Sequence, residues 1–293
     1  MLSSSSASTP LKPTSAMVDP GPSAPDFRRV AIFMAIAIFL SSALSLPLAL
    51  GLLPEVFLTL LVPLAQLAPL IAALFVRRSG THLRTELALA VPSWSRLLLA
   101  VAVAVGLFSL VPTVRFLLGI AIGVPSMLEA LPPVLVAVPI VLVMQSVFAI
   151  GEEVGWRGWL HGQLRSLGFW PMALLIGVMW AVWHLPVLIT LGLDGRSMIT
   201  YLGTILAAAP LLSALRDYSG AVWAAVLGHG LLNSLRVALE QNTLGVPTQM
   251  QAWVLDIGTW VLWILAAWLL LRLRGLARVD HPGSGGDSDL TGG

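Results

Sequence analysis

The residues best suited to chemistry stand together at the end of an apolar run. Glu152 and Glu153 follow directly on residues 133–150, and Arg157 comes four positions after the second acid. A charged side chain at the centre of a membrane helix costs about 2.5–3.5 kcal/mol on insertion scales, so such groups face a cavity or a partner. On a helix Glu153 and Arg157 share a face at i,i+4 and can pair. Glu152 is rotated by about 100° out of that register. One acid is therefore expected to be tied up structurally, leaving the other for something else. Two further groups lie inside other apolar runs: His184, with Trp180 one turn before it, and His229, with Asn233 one turn after it.

Each feature alone has an ordinary reading. An isolated intramembrane His is more often a hydrogen-bond partner of a neighbouring helix, and a juxtamembrane Glu–Arg pair is commonplace. His229 with Asn233 would serve equally as interhelical glue, and tryptophans are more often packing residues or interface anchors. The combination of an acid pair, a His and a His/Asn pair on three separate spans is what points to a site. Gly151, Gly155, Gly158 and Gly162 add a smooth stripe to the acidic helix, and Gly228 and Gly230 flank His229. Both let another helix or an extended peptide come close.

The elements that must position these residues are membrane helices. The chain has 293 residues, 57% hydrophobic and 10% charged, with a mean hydropathy of +0.91. That composition indicates an all-α polytopic membrane protein. With no cysteine, disulfides, iron–sulfur clusters, thiolate zinc sites and a cysteine nucleophile are excluded. A net charge of +2 gives no reason to expect nucleic acid. Eight apolar segments are long enough, or nearly so, to cross a bilayer: 30–52, 55–76, 97–118, 133–151, 171–191, 198–215, 220–238 and 252–271. They form one helical domain, 27–274, between tails 1–26 and 275–293 that read as disordered. His82, His161 and His281 fall in loops or tails.

Of the sixteen basic residues, all but Arg115, Arg196 and Arg236 fall on one side of an eight-span arrangement. The positive-inside rule then places both termini in the cytoplasm. It also puts Glu152 and Glu153 at the cytoplasmic end of the fourth span. Trp94, Trp156, Trp159, Trp170 and Trp253 fall near span ends, as an aromatic belt requires.

The motifs Glu152-Glu153-x-x-x-Arg157, Trp180-x-x-x-His184 and His229-x-x-x-Asn233 resemble those of the CPBP family. These are the CAAX protease and bacteriocin-processing intramembrane glutamic endopeptidases, related to the Rce1-type prenyl protease. The resemblance covers about 133–238, and the one departure is Trp180, where the family usually has Phe. It implies that Glu152 and His184 activate a water for attack on a peptide bond. It further implies that His229 and Asn233 stabilise the oxyanion, with Glu153, Arg157 and Trp180 as support. No cofactor and no metal are required. The implied partners are a membrane-associated protein or peptide substrate and the lipid bilayer, with no nucleic acid. The residue usage suggests a bacterial cytoplasmic membrane.

Three other readings use the same atoms. One Glu and two His are a zinc ligand set for the same hydrolysis, although the His-Glu-x-x-His signature is absent. Intramembrane Glu, His and Arg would also suit a proton-coupled transporter. The third is an inactive scaffold, against which all four family site positions are retained. A transporter predicts paired half-sites in two halves of the chain, whereas the ionisable cluster lies in the second half. That distribution favours the enzyme.

Overall fold

The computed structural model of the chain describes residues 24–279, and its regular structure is helical. Most of the two expected tails lies outside the described residues. The polypeptide forms α1 (Phe27–Ala49), α2 (Glu55–Val76), α3 (Trp94–Ala121), α4 (Leu131–Leu167), α5 (Phe169–Thr190), α6 (Gly195–Ser219), α7 (residues 223–242) and α8 (Gln249–Val279). Three starts are capped by side chains that accept from backbone N–H groups: Asp26 from Arg29, Ser93 from Arg96 and Asp194 from Ser197. The Ser197 bond also holds the Asp194 carboxyl below its ordinary range.

Seven of these helices are long and apolar enough to cross a membrane, and the chain is an integral membrane protein. The exception is α7. It carries His229, Asn233, Arg236 and Glu240, so its mean hydropathy falls short. Its position accounts for this: α7 packs against α3, α4 and α6. A helix enclosed by helices need not present an apolar surface to lipid. Its neighbour α4 does. Val136, Ile140, Val143 and Val147 recur at helical spacing and are 79%, 69%, 64% and 57% exposed, a lipid-facing stripe.

In the fourth helix it is the depth of the acids that departs from expectation. The helix continues past the apolar run 133–151, as the Glu-Glu stretch following directly on that run suggests, and reaches Leu167, 37 residues in all. Glu152 and Glu153 thus lie inside the bundle, not at the end of a span. The continuation passes through a π-helical stretch, Val154–Leu160, in which each turn takes up an extra residue. A second π turn, Leu232–Arg236, joins the two α-helical parts of α7. Because α4 continues, Trp156 and Trp159 are not belt residues. Both are fully buried, with their rings 5.3 and 5.0 Å from that of Phe33 in α1.

The glycine stripe of α4 is covered by the chain's own backbone. A Cβ at Gly151 would stand 2.5 Å from the Gln66 carbonyl oxygen, one at Gly155 2.5 Å from Pro69 Cβ, and one at Gly158 2.6 Å from the Leu87 carbonyl oxygen. Residues 66–69 belong to α2, which is broken there into shorter helical pieces. The segment after the turn Leu83–Glu86 is clamped the same way: Ala88 takes a left-handed φ of 54°, and its carbonyl accepts from Val222 N–H at the start of α7. Alanine at Gly151 or Gly158 is expected to lower thermal stability by about 1–3 kcal/mol through overpacking. Gly162→Ala, with nothing within 4 Å of the added atom, should leave the unfolding temperature in detergent unchanged or raised.

Candidate active site

The adjacent acids on α4 point to different surroundings. Glu153 Oε1 accepts from Arg157 Nη1 at 2.8 Å, and the pair is wholly buried. The same oxygen lies 2.8 Å from His229 Nδ1. The expected i,i+4 pair is therefore present, and it extends to α7. Arg157 also stands 4.4 Å over the face of Trp180, a cation–π contact strengthened by burial.

Glu152 belongs to α5 instead. Its Oε2 accepts from Trp180 Nε1 at 2.7 Å, a bond that Phe at this position would not make. Among the described residues the other oxygen of Glu152 makes no hydrogen bond to protein, and Oε2 of Glu153 is buried without a partner.

Trp180 is the hub of the cluster. Its ring centre lies 5.6 Å from His184 and 5.2 Å from His229, both edge-on. Its backbone carbonyl accepts from His184 Nδ1 at 2.8 Å. A carbonyl only accepts, so Nδ1 carries the proton and Nε2 is the nitrogen left to take one. Trp180, His184, His229 and Asn233 line one cavity of about 490 Å³. Glu152 stands behind Trp180, off that wall. Asn233 sits in the π turn of α7, and its amide has no hydrogen bond to protein among the described residues.

Several expectations need correction. Arg157 was counted as a topological charge, but it is a fully buried ion-pair partner. His161 is not in a loop; it is buried in α4, 3.0 Å from Asp217 of α6. His281 lies outside the described residues. The ionisable groups are not confined to the second half of the chain either. Arg115 of α3 pairs with Asp256 of α8 at 3.1 Å, and both line the cavity with Arg196. Tyr201 of α6, 5.4 Å from the His184 ring, is a wall residue that sequence reasoning missed. The signal for the ion pair was two opposite charges in separate apolar segments. Nothing comparable marked Tyr201. Among the described residues no three His, Asp or Glu side chains gather as a metal site.

The bundle brings His184 of α5 and His229 and Asn233 of α7 to one cavity, with Glu152 of α4 held by the wall residue Trp180. Residues 133–235 match the family described as Type II CAAX prenyl endopeptidase Rce1-like, consistent with the CPBP family. The match spans all three motifs, and the Rce1-like family is one of proteases. No curated protein matches the chain.

Glu153→Ala strands Arg157 and His229 together. Breaking a buried pair costs about 3–5 kcal/mol, so reduced thermal stability and abundance are expected. The indole bonds allow a finer comparison. Trp180→Phe removes a bond to a carboxylate, worth about 1.5–3 kcal/mol, whereas Trp183→Phe removes a bond to a backbone carbonyl, worth about 1 kcal/mol; Trp183 donates to Ala37 at 3.2 Å. Both delete the same volume from a buried site. The larger fall in unfolding temperature should be that of Trp180→Phe.

Proposed function

We propose that this chain is an intramembrane endopeptidase of the metal-independent glutamic type, cutting a membrane-associated protein or peptide. The observation that carries the reading is the division of labour between the two acids: Glu153 is committed to Arg157 and His229, while Glu152, bonded to the wall residue Trp180, has one oxygen with no hydrogen bond to protein among the described residues.

In this reading Glu152, with His184 Nε2, takes a proton from water as its oxygen bonds to the scissile carbonyl carbon. The negative charge that develops on the carbonyl oxygen is met by Asn233, whose amide is uncommitted, and by His229. With its Nδ1–H given to Glu153, His229 donates through Nε2 in the doubly protonated ring, whose charge Glu153 balances. The C–N bond then breaks, and the amine leaves with the proton held by the base. Trp180 orients Glu152 and His184 at once through its indole N–H and its carbonyl. The scheme routes no step through a metal. The nearest candidate ligands are engaged elsewhere, Glu153 with His229 Nδ1 and Glu152 with Trp180.

Residue usage suggests the bacterial cytoplasmic membrane, and the arginine distribution suggests that both termini lie inside. Glu152→Gln should lower cleavage about 10²–10⁴-fold with the fold kept. Asn233→Ala, which leaves no protein group unpaired, should lower it about 10²–10³-fold. Comparing membrane proteomes with and without Glu152→Gln reads out both the activity and its targets. Cleavage should survive chelation and dialysis; loss on chelation with recovery on added zinc would overturn the metal-free scheme.

A further inference from the structure

The two ends of the bundle differ in charge and in access. One end gathers residues 24–29, 76–90, 161–170 and 216–223. There Arg29 donates to the Val76 carbonyl, Trp223 Nε1 donates to Leu89 at 3.0 Å, and His161 meets Asp217. Arg28, Arg29, Arg77, Arg78, Arg84, Arg96, Arg165 and Arg216 all lie at or near this end. The other end gathers residues 122–127, 191–197 and 240–252. There Gly245 N–H donates to Pro125 at 2.8 Å and Gln251 Nε2 to Ile122 at 2.8 Å. Helices α1 and α5 run in parallel from the first end to the second, as Trp183 bonds Ala37 and Thr190 bonds Ser45.

The cavity that reaches His184 and His229 opens at the second end, where Leu193, Ser197, Gln241 and Ala252 line it. The three arginines found at that end, Arg115, Arg196 and Arg236, do not oppose the charge asymmetry. All three line the cavity and are paired there, the first two with Asp256 and the third with Glu240 at 2.7 Å. They are cavity residues, so the loops of that end carry little free positive charge. Arginine-rich ends of membrane helices face the cytoplasm.

We infer that the cavity is entered from the extracytoplasmic side, opposite to the expectation drawn from the sequence, which placed the acids at the cytoplasmic surface. The nature of what enters rests on the peptidase reading above: a polypeptide segment exposed at the outer face, so that membrane insertion or export must precede cleavage. The direction of access does not depend on that reading.

The cysteine-free sequence makes the test direct. Gln241→Cys and Val246→Cys mark the cavity end, and His82→Cys and Thr85→Cys mark the arginine-rich end; all four positions are exposed. Cells expressing each variant are treated with a membrane-impermeant maleimide before and after permeabilisation, the latter giving the reference for a reachable thiol. Positions 241 and 246 should be labelled in intact cells, and positions 82 and 85 only after permeabilisation. Labelling of 82 and 85 alone in intact cells, or equal labelling of both ends, overturns the inference. Labelling needs no enzymatic turnover, so the inference can fail while the peptidase reading stands, and the reverse.

Discussion

The interaction on which the rest depends is the buried contact of Glu153 with Arg157 and His229. Removing two full charges from water costs several kcal/mol per ion, and mutual attraction repays this only when geometry and further contacts are good. Here one carboxylate oxygen serves both partners at 2.8 Å, and the guanidinium lies on the Trp180 ring. The contact joins α4 to α7 directly and to α5 through Trp180. Those are the three helices that carry the candidate site.

Sealing such a group from lipid and water sets requirements on the surrounding chain. Side-chain-free positions on α4 let backbone come to van der Waals distance: α2 breaks to lay residues 66–69 on Gly151 and Gly155, and Leu87 closes on Gly158. The π stretch begins at Val154, directly after the paired acids, and the second π turn carries Asn233. Single-turn π insertions recur at functional sites because they redirect side chains without ending the helix. Trp180 then couples the two halves, holding Glu152 by its indole and His184 by its carbonyl. Phe would keep the ring contacts and lose the bond to Glu152.

Much of this was legible in the sequence because it depends on local spacing. The i,i+4 register separated Glu153 from Glu152, and hydropathy located the long helices. What was not legible depends on the third dimension. An apolar window ends where charges begin, so the acids were placed at the cytoplasmic end of the fourth span, although these charged turns are neutralised inside the bundle. The same cause moved Trp156 and Trp159 from an interface to the core and turned Arg157 from a topological charge into a buried partner. The helix α7 was found, but its polar content reflects enclosure by three helices, which no window over its own residues reports. Arg115 and Asp256 lie 141 positions apart by number, and only packing brings them together.

The central claim is that the Glu153–Arg157 pair braces the fold while also holding His229 for its task. A double-mutant cycle with Glu153→Met and Arg157→Met, read by thermal unfolding in detergent and by cleavage, tests it most directly. Glu153→Met leaves the Arg157 guanidinium and the His229 ring without their shared counter-charge, whereas the double variant removes the guanidinium as well and leaves only His229, which can shed its second ring proton. The expected result is a strongly destabilised Glu153→Met and a double variant that regains most of that stability but does not cleave, because His229 has lost its anchor. Additive destabilisation in the double variant, or a double variant that cleaves normally, would contradict the account.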